Sequence, residues 1–171
     1  MYQFGGYIIY KNFIKKNADE ISEYIPQEEI SDEQLRQTII TLYYKNKENG
    51  EIMPEARKVD VGVLIKSPYE YLINLLLENP KNEKLIKVIP NGTKINNIEL
   101  RGDIVYIDFS KEFTENVVGG EEEENKIIKS IVNTLTELTE VNSVRILIEG
   151  EENKCFKDEA VNFKENFFRF E

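Results

Sequence analysis

Between residues 119 and 150 the apolar positions change period once, from helical to extended, and this stretch sets the frame for the rest of the chain. Ile127, Ile128, Ile131, Val132, Leu135 and Leu138 recur at steps of one, three or four, which makes one apolar stripe. Lys126, Lys129, Asn133, Thr136 and Glu137 fall on the other side. Gly119-Gly120 breaks the preceding segment, and Glu121 to Glu124 put four carboxylates in the first turn, where the positive end of the helix dipole favours them. The spacing predicts a helix over 121–141. Asn142-Ser143 turns the chain. Val144-Arg145-Ile146-Leu147-Ile148 is then apolar on both faces and closed by Gly150, which predicts a strand inside a sheet.

The same reading covers the remainder. Residues 38–44 (Thr-Ile-Ile-Thr-Leu-Tyr-Tyr) predict a first core strand, 45–50 a hairpin tip with Asn49-Gly50, and 51–59 an extended run interrupted at Pro54. Val59, Val61, Val63 and Ile65 alternate with other residues and predict a further strand. Ser67-Pro68 opens a helix over 67–78, with Glu70 placed for a capping box and Tyr69, Leu72, Ile73, Leu76 and Leu77 as its buried stripe. Asn79-Pro80 stops it. After a short apolar segment at 85–89, Pro90-Asn91-Gly92 turns the chain into a hairpin over 94–110, whose own turn is Arg101-Gly102-Asp103. The fold class implied is an α/β sandwich, a small mixed β-sheet with two helices packed on one face. The organisation implied is an N-terminal extension and linker over 1–37, a domain over 38–150, and a C-terminal extension over 151–171 that packs on or extends it. Within the first of these, Tyr7 to Tyr10 predict a strand or the start of a helix that Pro26 ends. The last ends in the aromatic cluster Phe167-Phe168-Arg169-Phe170.

Composition narrows the chemistry. In 171 residues, 40% of them hydrophobic, one compact domain with a core is expected. A net charge of −10 disfavours nucleic acid, which needs clustered Lys and Arg, and equally an anionic membrane surface. The sequence has no histidine and one cysteine, Cys155, which removes the commonest general base, the usual nucleophile triads, an internal disulfide and thiolate metal clusters. The apolar start, Met1 to Tyr10, is short, aromatic and without a basic leader, so no export signal is expected from it.

Asp108 and Glu112 are the best carboxylate pair, and a glycosidase would need two such groups across a cleft. Capping and solvation is the plainer reading. Glu121 to Glu124 could be offered to calcium, but adjacent helical carboxylates point in different directions, so a solvated first turn is favoured. Thr134 and Thr136 flank the apolar stripe as helix surface or groove lining. Arg57 is read either as pairing with a carboxylate or as marking a contact surface. No catalytic, cofactor-binding or metal-binding residue is assigned, and no cofactor. The candidate interface residues are Arg57, Lys126, Lys129 and Glu137.

Across residues 39–150 the chain resembles the GerMN domain of GerM-type sporulation and germination proteins. The resemblance rests on Leu42-Tyr43-Tyr44 with Arg57-Lys58-Val59, on Glu70-Tyr71-Leu72-Ile73-Asn74-Leu75-Leu76 closing at Asn79-Pro80, and on Ile89-Pro90-Asn91-Gly92-Thr93-Lys94-Ile95. It continues through Val105-Tyr106-Ile107-Asp108-Phe109-Ser110-Lys111-Glu112-Phe113, then Ile131-Val132-Asn133-Thr134-Leu135-Thr136-Glu137, and Val144-Arg145-Ile146-Leu147-Ile148-Glu149-Gly150. The family's Gly-Pro and Asp-Gly stand here as Asn79-Pro80 and Glu149-Gly150. The resemblance implies a fold like the ring-building motif domains and a non-enzymatic scaffold with protein partners in a sporulation or envelope complex. It also implies an extracytoplasmic, membrane-anchored setting, although this sequence shows neither the export signal nor the early lipidated cysteine of GerM-type lipoproteins. A polysaccharide-binding or hydrolytic envelope domain, and a cytoplasmic binding module unrelated to sporulation, stay open as alternatives. Self-association, opposed by the negative charge, is expected to be weak, with a monomer at micromolar concentration and strengthening as salt rises.

Overall fold

The structure, a computed structural model, describes residues 31–171. The chain divides into two compact units, Met1–Arg36 and Gln37–Glu171. Of the first, one helical turn is described, α1 (Asp32–Leu35). The expectations for Tyr7 to Pro26 lie outside the described residues.

The second unit begins with a long antiparallel hairpin of β1 (Gln37–Asn46) and β2 (Ile52–Asp60). Its tip is built by side chains. Asn46 Oδ1 accepts from the backbone of Glu48 at 2.8 Å, and Gly50 takes a φ of +75° that a β-carbon would resist. The Asn46 N–H donates to the Glu51 carbonyl at 2.8 Å. Even-numbered residues of β1 therefore bond to β2, and odd-numbered ones turn their backbone groups to the opposite edge. Pro54 sits opposite Tyr43, where the β2 backbone faces away from β1. The missing N–H breaks no ladder bond, so the strand runs through Pro54 without the expected interruption. On the far edge, β3 (Leu85–Ile86) pairs with Lys45 and Asn46 only.

The alternation expected to continue as a strand to Ile65 stops at Asp60, and Val61–Lys66 is a short helix, α2. Asp60 caps it, accepting from Gly62 N–H at 2.6 Å. Val63 and Ile65 are exposed on it and none of its residues is buried, so local capping decided what apolar alternation had left open. Helix α3 (Pro68–Leu77) follows with proline in its first turn and Leu72, Ile73 and Leu76 buried. Ser67 makes no side-chain cap and the expected box with Glu70 does not form. Ser67 already closes α2, its N–H reaching the Val63 carbonyl, at φ −152° and ψ 69°.

A second, four-stranded mixed sheet has the order β4 (Ile95–Arg101), β5 (Ile104–Phe109), β6 (Ser143–Ile148), β7 (Phe167–Phe168), with β5 and β6 parallel. The strand 144–148 is thus an interior one, flanked by β5 and β7. A turn of helix, α4 (Glu112–Glu115), and then α5 (Glu121–Leu135) cross from β5 to β6. Helix α5 ends at Leu135, short of the expected 141, and the Thr136 hydroxyl bonds back to the Val132 carbonyl at 2.7 Å.

Val105, Ile107, Phe109, Val144 and Ile146 are fully buried on one sheet face, and α3 and α5 cover it while touching each other. The mixed sheet with both helices on one face is therefore present. The first strand is not part of it, however. β1 and β2 belong to the other sheet, which also packs on α5, so the helices have strands on two sides. Residues 151–163 complete the core with Phe156 and Phe163, which join Phe109 and Phe113 in one aromatic cluster with centroids 4.3 to 5.3 Å apart for successive neighbours. Among the described residues no helix is long and apolar enough to cross a membrane.

Candidate functional site

Beyond β3 the edge of β1 would be bare at Tyr43, where N–H and C=O both face outward. Helix α5 meets that edge with two hydroxyls. Thr134 Oγ1 accepts the Tyr43 N–H at 3.1 Å, and Ser130 Oγ donates to the Tyr43 carbonyl at 2.6 Å. Both side chains are almost wholly buried, so hydroxyls on the inner side of the helix are stitching a strand edge. Thr134 lines this seam rather than the helix surface.

Outside the seam lies a polar cluster that joins β1, the end of α5 and the segment 167–171. The Tyr43 hydroxyl donates to Glu137 at 2.6 Å, and Arg169 Nη2 donates to Glu137 at 2.7 Å and to the Tyr43 oxygen at 2.8 Å. The Tyr43 hydroxyl, with Arg169 beside it, holds the Glu137 carboxyl below its usual range. Burial pushes the Tyr43 hydroxyl up, and the hydrogen bond to Glu137 adds to this. Arg169 also donates to the Asn133 carbonyl and to Thr136 Oγ1, each at 3.2 Å. Asn133, which is 3% exposed, accepts from Phe170 N–H at 2.9 Å and donates to the Phe170 carbonyl at 3.1 Å. Lys129 Nζ donates to the Glu171 main-chain oxygen at 2.7 Å.

Two of the four candidate interface residues, Lys129 and Glu137, thus sit on one stripe with Asn133 between them. Lys126, on the same side of the helix, has other partners, Glu122 at 2.8 Å and, at 3.5 Å, Glu123, which Lys45 also binds. Arg57 is remote from all of these. It points inward from β2 and is paired with Glu55, both side chains under 10% exposed, so carboxylate pairing is the reading the structure has. Glu55 also accepts backbone N–H groups of Asn82 at 2.9 Å and Lys81 at 3.3 Å. Burial pushes the Glu55 carboxyl up, but Asn82, Arg57 and Lys81 outweigh it and hold the carboxyl low. This pair fixes the loop after α3. Burial pushes the neighbouring Tyr44 hydroxyl up to about 12, and it donates to the Leu75 carbonyl at 2.7 Å.

The carboxylates considered for chemistry have structural partners. Asp108 accepts the Gly150 N–H at 2.9 Å, and Glu149, at φ +50°, accepts the Lys111 N–H at 2.8 Å, so the loops that leave β5 and β6 clasp each other. The Ser110 hydroxyl holds Glu112 below the usual range. Of the four glutamates opening α5, Glu124 departs from the solvated expectation. It is 1% exposed and accepts the Val161 N–H at 3.1 Å through one oxygen, while Oε1 has no partner. Burial pushes its carboxyl up, and Asp158 and Glu121 add to that. A groove of about 260 Å³ is lined by both polar and apolar residues, among them Ile86, Val88, Asn91, Asn116, Val118 and Ile127. Its two charged members are engaged, Lys87 on the Leu77 carbonyl and Glu123 on Lys45.

This architecture is that of a GerMN domain. The first GerMN domain of the sporulation protein GerM from Bacillus subtilis superposes with a TM-score of 0.65 at 22% identity, over 77% of this chain and 98% of that one. The tandem GerMN domains of the same protein give 0.64 at 21% identity over 84% of this chain, which spans about half (49%) of their length. A putative lipoprotein from Clostridium perfringens gives 0.54 at 24% identity, covering 82% and 93%. No curated protein matches the chain. The family model Germane, described as sporulation and spore germination, matches residues 41–154, and the chain belongs to that family.

Proposed function

We propose that this chain is a non-enzymatic interaction domain of sporulation or germination that acts by protein–protein contact within an envelope-associated complex. Family membership sets the process. The observation that carries the non-enzymatic part is the use made of the carboxylates. Asp108 and Glu149 each accept a backbone N–H that closes a loop, Glu55 accepts two, and Glu137 holds Arg169 and Tyr43. A general acid or base needs a carboxyl free to exchange its proton with a substrate, and these are engaged in holding loops. The likeness to a putative lipoprotein fits an anchored, extracytoplasmic setting.

The test is replacement of the chain in its spore-forming host by one carrying Asp108→Asn and Glu112→Gln. Counts of heat-resistant spores are expected to match wild type, and purified wild-type protein to turn over no cell-wall polysaccharide. Loss of a wall-hydrolysing activity in the variant, with the fold intact, overturns the proposal in favour of a hydrolytic envelope domain.

A further inference from the structure

Residues 167–171 run along α5 in the direction opposite to the helix. Glu171 meets Lys129, Phe170 meets Asn133, and Arg169 meets Thr136 and Glu137. The helix reads this strap as it would read any extended peptide with one arginine. The buried Asn133 amide gives a donor and an acceptor to the two main-chain groups of Phe170, as a neighbouring strand would, and Lys129 takes a main-chain oxygen. Arg169 is the one side chain recognised through its charge, and Glu137 and Tyr43 form its socket. Of the strap's aromatic residues, Phe168 is 59% exposed, while Phe167 and Phe170 pack against the core. Nothing in this set of bonds requires that strap and helix belong to the same chain.

We propose that this groove is an exchangeable site, and that its occupant where copies are crowded is the 167–171 segment of a second copy of this chain. The occupant follows from the fit. A second copy's segment makes the same bonds, and its two-residue strand closes the same sheet edge at Ser143 and Val144. Residues 164–166 lie outside any strand, with Lys164 and Glu165 exposed, and serve as the hinge once Arg145 releases the Lys164 carbonyl, which it binds at 2.7 Å, and the Asn166 side chain at 3.4 Å. In dilute solution each copy keeps its own strap, because a tethered segment competes at an effective concentration on the order of millimolar. Exchange gains only when copies are held together, so its setting rests on the contact function proposed above while its chemistry does not. In the isolated chain Lys129 and Glu137 are the residues that bind the strap, through the Glu171 main-chain oxygen and Arg169.

A charge-swap experiment decides the matter. Arg169→Glu and Glu137→Arg each set like charges against each other within one chain. Mixed at several hundred micromolar, the two variants are charge-matched at both grooves only if the straps cross. Sedimentation velocity is expected to show a heterodimer in the mixture, monomers for each variant alone, and a monomer for the chain that carries both substitutions. A mixture that sediments as monomers overturns the proposal. A second measurement stands if a variant folds poorly on its own. Full-length Arg169→Glu is expected to bind a labelled Phe-Phe-Arg-Phe-Glu peptide, with wild type at least about tenfold weaker because its groove is filled. Peptide binding without a heterodimer gives the groove to an arginine–aromatic segment of another protein and overturns the second-copy occupant, and no binding overturns the site. Spore counts enter neither measurement, so failure here is distinct from failure of the functional proposal.

Discussion

Replacing Thr134 by valine removes one oxygen from the seam between β1 and α5 and changes little else. The side chain is 0% exposed, the two residues have nearly the same shape, and both are β-branched, so helix propensity barely shifts. What is lost is the acceptor for the Tyr43 N–H, now at 3.1 Å. The pairing of β3 with β1 ends at Lys45, so no neighbouring strand replaces it. An orphaned buried donor costs about 1–3 kcal/mol, more than the net worth of the bond itself. Ser130→Ala removes the donor to the Tyr43 carbonyl but gains helix propensity of up to about 0.5 kcal/mol, so its net cost is smaller, about 0–1 kcal/mol. Urea unfolding of the two variants and of wild type measures both, and the thermal midpoint should fall by about 2–4 °C per kcal/mol in a chain of this size. A Thr134→Val change under about 0.5 kcal/mol, the range of an ordinary surface substitution, would refute the stitched edge.

Four further outcomes follow from the same structure. Leu135→Ala, at a fully buried position, is expected to cost about 2–5 kcal/mol in urea unfolding, and a change under about 1 kcal/mol would mean the helix face is set wrongly. Arg57→Ala is expected to cost about 3–5 kcal/mol because it leaves the buried Glu55 without its countercharge, whereas a residue serving only surface contact would leave stability unchanged. The folded-state pKa of Glu124 is raised, so the folded chain is penalised above it and recovers stability as pH falls through it towards the ordinary glutamate range. Glu124→Gln should therefore be more stable than wild type at pH 7, with the difference shrinking by about pH 4, and an advantage that does not change with pH would contradict the cause given. Sedimentation of the wild-type chain should show a monomer at micromolar concentration, with any association strengthening as salt screens the charge, and a stable dimer at low salt would contradict this.

Much of the fold was legible because periodicity and turn chemistry agreed. The stripe from Ile127 to Leu135, the run 144–148 and the hairpin turning at Gly102 each carried two independent signals, and each formed. Residues 61–66 failed because an alternating apolar run is equally compatible with a short helix once an aspartate caps it. Ser67 failed as a cap because it closes one helix while opening the next. The division into two sheets was out of reach, since hydrophobic pattern does not say which strand pairs with which.

The strap site was half visible. Lys129, Asn133 and Glu137 are spaced by four, one polar stripe in plain sight. The aromatic cluster around Arg169 was also visible, but its partner lies 32 residues away and no local signal joins them. Glu124 looked like its three acidic neighbours. Only the packing of residues 156–163 against the start of α5 buries it.

The claim that this domain works by contact is tested most directly in cells. A photo-crosslinking residue would be placed singly at Ile39, Ile65, Val118 and Phe168, four exposed apolar positions spread over the second unit. Each chain would be expressed in the spore-forming host, illuminated during sporulation, and its adducts identified by mass spectrometry. The account predicts a discrete protein adduct, to another protein or to a second copy, from at least one position in sporulating cells. Chains that support normal spore counts yet give no protein adduct at any of the four positions would contradict it.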